Sequence, residues 1–154
     1  MKIPAWSDRV AQFFQQDGAL RDIYVPDVTP AIWAAVYSHI VYTGTDESIS
    51  VDGEPATPPN SWAEAFRLRD SASPVLLARV GSPQIAIHFF CDSEFECDFR
   101  PSDIQCETEF HGLCRFIESL GTVAERDVLL TDENCRDRPF LIYRPGQNSF
   151  DFPA

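Results

Sequence analysis

Residues 74–100, PVLLARVGSPQIAIHFFCDSEFECDFR, read as three short antiparallel strands in the middle of a sheet, and the rest of the chain is arranged around them. Leu76, Ala78 and Val80 alternate in the first segment, Ile85, Ile87 and Phe89 in the second, and Phe95, Cys97 and Phe99 in the third. Each set is spaced two residues apart, as one face of a strand requires. Glu94, Glu96 and Asp98 take the other face of the third segment. A slip of one residue would bury three carboxylates and expose two phenylalanines, so the pattern specifies register as well as strand.

On the N-terminal side, Ser7 is a capping residue for a helix over residues 7–17, with Val10, Phe13 and Phe14 as its apolar stripe and Gly18 as its stop. The run LRDIYV (20–25) reads as a strand closed by Pro26. Thr29 and Pro30 start a major helix whose stripe is Ile32, Trp33, Val36, Tyr37 and Ile40, ending before Gly44, with His39 beside the stripe. Residues 43–60 are polar and proline-containing, a linker-like stretch with a small strand at Ile49 and Val51 and a turn at Asp52-Gly53. Ser61 to Glu64 matches a capping box before a short helix.

Beyond the central strands, residues 106–120 form a second major helix, with Phe110, Leu113, Cys114 and Ile117 on its buried stripe and Gly121 as the expected stop. Residues 127–131, 140–143 and 150–152 read as further strands. Strands with alternating faces, interrupted by isolated helices and joined by turns too short for a crossover, predict an α+β fold. It comprises a mainly antiparallel sheet with two major helices packed on one face and a short N-terminal helix. A chain of 154 residues fits one domain, in which roughly two thirds of the unfolded surface can be buried without a metal or disulfide.

Charge narrows the classes of partner. Twelve Lys and Arg against 24 Asp and Glu give a net charge of −12, which repels nucleic acid and anionic lipid. No apolar run approaches the roughly 20 residues of a membrane span, and the start MKIPAWSDRV has no apolar signal region. Five cysteines, an odd number with no close pair, fit reduced thiols in a cytoplasm, and buried structural roles are expected for them.

The sharpest local anomaly is acidic. Residues 92–109 hold seven carboxylates against Arg100 alone. Asp92, Glu94, Glu96, Asp98 and Asp103 are the candidate partner-binding residues, because like charges tolerated on one strand become favourable against Lys or Arg. The plainer reading is a solvated sheet face with acids near a helix N-terminus. His88-x2-Cys91 and His111-x2-Cys114 have superficial zinc-ligand spacing, but positions three apart on a strand face opposite ways, so neither a metal nor another cofactor is expected. Nothing in the sequence marks a catalytic residue: a phosphate loop, a nucleophile elbow and a thiolate-stabilising environment are all missing.

The order HFFCDSEFECDFRPSDI (88–104), a helix, then DVLLTDENCRDRPFLIYRPGQNSFDF (127–152) resembles a family of small bacterial proteins, some with immunity roles beside toxin genes. The similarity covers residues 74–152; where that family has an Asp-Pro-Arg-Glu turn, this chain has Arg100-Pro101-Ser102-Asp103. The resemblance implies a toxin inhibitor and carries over no functional residue. The expectation is therefore a non-enzymatic, cytoplasmic binding protein that covers a basic site on a toxin. The alternatives are a small hydrolase with a carboxylate or cysteine site across the sheet and a homodimeric adaptor using an exposed sheet edge.

Overall fold

The computed structural model describes residues 2–153. Its centre is one nine-stranded sheet, antiparallel at every pairing, in the order β3-β2-β4-β5-β6-β1-β7-β8-β9. The strands are β1 (Arg21–Val25), β2 (Thr45–Val51), β3 (Glu54–Ala56), β4 (Pro74–Arg79), β5 (Gln84–Cys91), β6 (Glu94–Phe99), β7 (Val128–Asp132), β8 (Leu141–Arg144) and β9 (Ser149–Asp151). The helices are α1 (Asp8–Ala11), α2 (Pro30–Thr43), α3 (Trp62–Arg69) and α4 (Glu107–Ala124). The fold is α+β, as the sequence predicts.

The alternation in β4, β5 and β6 places Leu76, Ala78, Ile85, Ile87, Phe89, Phe95, Cys97 and Phe99 on one buried face. Helices cover that face through aromatic contacts: Trp33 of α2 and Phe66 of α3 pack on Phe89, while Phe110 of α4 meets Phe14, which meets Phe99. Each helix starts with its own chemistry. Thr29 Oγ1 accepts the Ile32 N–H at 3.2 Å ahead of Pro30. Ser61 Oγ accepts the Glu64 N–H at 3.3 Å, and Glu64 reaches back to the amide of Asn60 rather than to Ser61 itself.

Four local expectations change. The N-terminal helix ends at Ala11 and passes into a 3₁₀ turn, Gln12–Phe14, because the Arg21 guanidinium takes the Phe13 and Gln15 carbonyls that a continuing helix would have used. Gly18 lies beyond it, in the turn before β1. α4 runs through Gly121 to Ala124 and stops at Glu125, which is left-handed. Gly121 serves packing: a Cβ there would lie 2.6 Å from Cδ1 of the Tyr143 ring, so only glycine lets this helix approach β8. Within the stretch read as linker-like, the expected small strand at Ile49 and Val51 and the turn at Asp52-Gly53 are present and belong to a longer β2–β3 hairpin, residues 45–56, at one side of the sheet. Asp52 and Gly53 both have positive φ, which suits the right-handed twist of the flanking strands.

The cysteines divide. All five are free thiols; Cys97 and Cys114 are buried, Cys135 is half-buried, and Cys91 and Cys106 are exposed, which corrects the expectation that all are core residues. Burial pushes the Cys114 thiol up to about 12 and Cys97 well above its ordinary value. A thiol reagent should label Cys91 and Cys106 in the native protein, and Cys97 and Cys114 only after unfolding. Peptide mass mapping of pulse-labelled protein checks this, and native labelling of Cys97 would place β6 outside the core.

Candidate functional site

The helices leave the second face of the sheet open. Strand registers set two rows of side chains across it. One row runs Val75, His88, Glu96, Tyr24, Leu129 and Ile142; the other runs Leu77, Ala86, Asp98, Asp22 and Thr131. Four carboxylates, Asp22, Glu94, Glu96 and Asp98, therefore gather where β6 meets β1.

Of the five predicted partner-binding residues, the structure brings Glu94, Glu96 and Asp98 together on this face. Asp92 and Asp103 lie at opposite ends of β6. Asp92 sits in the exposed β5–β6 turn beside α3. Asp103 lies in a 3₁₀ turn and accepts the Gln84 N–H at 3.2 Å, bordering with Asp98, Arg79 and Arg100 a depression of about 390 Å³.

This face is neither fully solvated nor uncompensated. The side chains of His88, Asp98 and Glu94 are 20%, 17% and 22% exposed, and Asp22 is 4% exposed. His88 Nε2 lies 2.5 Å from Asp98 Oδ2, and the His88 ring stacks flat against Phe90. The loop after β7 crosses the far part of the face: the Asn134 N–H donates to Asp22 Oδ2 at 2.8 Å, and Arg136 pairs with Glu94 at 2.6 Å. Tyr24 donates its hydroxyl to Asp22 Oδ2 at 2.9 Å. Glu96 alone of the four carboxylates makes no hydrogen bond or ion pair among the described residues.

Asp22, Tyr24, His88 and Arg136 were missed in the sequence. Asp22 and Tyr24 were legible as the polar face of β1, two residues apart and out of phase with Ile23 and Val25. Arg136 was not legible, because its partner Glu94 is 42 residues away and only the fold joins them.

The electrostatics follow from this crowding. Burial raises the Asp22 carboxyl, with the opposed Asp98 adding to it, and burial likewise raises Glu96, with Asp22 adding to it. The hydrogen bond that His88 donates to Asp98 raises His88 above its ordinary value against the opposing effect of burial. Burial and the bond to Asp22 push the Tyr24 phenol up.

These shifts fix a sign. A histidine raised on folding contributes stability that is complete below its unfolded pKa and is lost as pH rises through the folded value. Carboxyls raised on folding bind protons more readily in the native state, so stability increases as pH falls from neutral towards their unfolded values. Between about pH 6 and about pH 8 His88 favours the lower pH, whereas the half-buried His39, whose pKa burial lowers, favours the higher, so the melting temperature of wild type relative to His88→Gln should be greater at about pH 6 than at about pH 8. Melting curves of both proteins across this range check it, and a wild-type advantage that stays constant or grows towards pH 8 would contradict it.

Among the described residues no three His, Cys, Asp or Glu side chains are placed to hold a metal ion, and no helix is long and apolar enough to cross a membrane. The outermost strands, β3 and β9, are three residues each, and β3 contains Pro55, so the sheet offers short edges for pairing with a second chain. Comparison with known protein families, curated proteins and solved structures found no match.

Proposed function

We propose that the protein binds a basic protein surface through the open face of its sheet and performs no chemistry of its own. In its most concrete form it is an immunity-type inhibitor that covers a basic site on a toxin. The observation supporting this is Glu96: a half-buried carboxylate among Asp22, Glu94 and Asp98 that has no cationic partner in direct contact, on a sheet face that no helix covers. A partner's Lys or Arg placed there would offset the burial and the repulsion from Asp22 that raise Glu96 and would complete the pairing already made at Glu94 and Asp98. Phe90, 65% exposed at the edge of this face, offers an apolar contact beside the charge.

The hydrolase alternative draws on the same face, where His88 and Asp98 form a hydrogen-bonded pair of the kind used for proton transfer.

The test measures affinity for the protein encoded by the adjacent gene, at low and moderate salt, for wild type and for Glu96→Gln. The variant is isosteric and breaks no internal pair, whereas reversing Glu94 or Asp98 would also remove the contacts to Arg136 and His88. Weaker binding by Glu96→Gln and a fall with salt support the proposal. A tight complex indifferent to both removes this face from the interface, and no complex at all favours the hydrolase or homodimer readings.

A further inference from the structure

We propose that the cleft between α2 and α4 binds a small organic carboxylate with an apolar body, the carboxylate held by Arg115 and the body seated on Val80 and Phe116. The cleft lies in the helical layer, away from the acidic sheet face, and stands independently of the function proposed above. Its volume is about 300 Å³, the lower end of the range of small-molecule sites. Val80 and Phe116 are nearly buried and supply its apolar lining.

Two glycines shape one wall. Gly81 has a φ of +71°, and a Cβ at that position would lie 3.5 Å from the Gly112 carbonyl oxygen; a Cβ at Gly112 would lie 3.3 Å from Ser82 Oγ. The β4–β5 turn therefore rests directly on α4 and closes that side of the cleft with backbone. The opposite wall is polar and fixed. Ser119 donates its hydroxyl to the Phe116 carbonyl at 2.8 Å, and its oxygen lies 3.0 Å from His39 Nε2, so the imidazole is held against the cleft.

Charge selects the ligand class. In a chain of net charge −12, none of the residues lining this cleft is a carboxylate. Arg115, which lines it, makes no hydrogen bond or ion pair among the described residues. Burial lowers the His39 pKa, so at neutral pH the imidazole adds no charge and Arg115 supplies the cleft's positive group. A planar guanidinium with free donors matches a carboxylate in two parallel hydrogen bonds, and the small volume with its apolar lining admits a compact hydrocarbon body.

The experiment titrates benzoate into the isotope-labelled full chain and follows backbone amides by two-dimensional NMR, with benzamide as the neutral counterpart. Saturable shifts at Gly81, Gly112 and Ser119 are expected, with benzamide and the Arg115→Gln variant each binding about tenfold more weakly. Arg115 is exposed, so the variant should retain the wild-type fold, and its spectral dispersion reports this directly. Benzoate shifts that are unsaturable, or equal in Arg115→Gln, or matched by benzamide, would overturn the proposal, as would no response at these three amides.

Discussion

Trp33→Ala should lower the stability of the protein by about 3–5 kcal/mol, the cost of deleting a large aromatic side chain from a packed core. Trp33 is 0% exposed and touches three rings from two layers: Phe66 edge-on with centroids 5.2 Å apart, Phe89 at 5.5 Å and Phe95 at 5.1 Å. It is the point where α2 meets α3, β5 and β6. Its indole N–H also donates to the Cys91 carbonyl at 3.1 Å, so truncation opens a cavity and removes a donor from the turn that carries Asp92 and Ser93. A domain's whole stability is about 5–15 kcal/mol, and a loss of this size should lower the melting temperature by roughly 10 °C. Trp33→Phe keeps most of the ring contacts and should lose less. Chemical denaturation of the three proteins measures the difference, and a wild-type midpoint for Trp33→Ala would mean that α2 does not pack on the sheet as described.

How much of this was written in the sequence differs from element to element. Strands β4 to β6 and the stripe of α4 were legible because their patterns are local: period two with carboxylates on the reverse face, and Phe110, Leu113, Cys114 and Ile117 at helical spacing. The place of β1 was not. Its residues could be read as a strand, but nothing in RDIYV says that it inserts between β6 and β7, and that insertion sets Asp22 opposite Asp98 and Tyr24 opposite Glu96. Half of the candidate site is therefore a product of topology. The acidic strand was visible, whereas its internal counter-groups His88 and Arg136 arrive from a neighbouring strand and a distant loop. Gly121 shows the same limit: glycine at that spacing reads as a helix stop, and only the Tyr143 ring on β8 reveals its packing role.

Arg21 is the residue whose loss should be felt most after Trp33, and for a different reason. It stands on the helix-facing side of β1 with Ile23 and Val25, yet it is charged and only 2% exposed. Its guanidinium is occupied on every side: Nε donates to the Phe13 carbonyl at 2.6 Å, Nη2 to Gln15 at 3.0 Å, and Nη1 to Leu20 at 3.0 Å. Asp17 at 3.2 Å and Asp132 at 3.5 Å balance the charge. Arg21→Met would keep much of the aliphatic stem but leave these carbonyls without their donor, and the cost should be about 3 kcal/mol. Asp17→Asn should cost far less, because Asp17 is 53% exposed and water replaces its contact. The two variants separate a network that orders the N-terminal segment from a surface ion pair. In Arg21→Met, amide hydrogen exchange should quicken first across α1 and the 3₁₀ turn while β5 and β6 stay protected. Equal melting of Arg21→Met and Asp17→Asn would show that the carbonyls of residues 13–20 find water as readily as they find Arg21, and that the early end of α1 has another cause.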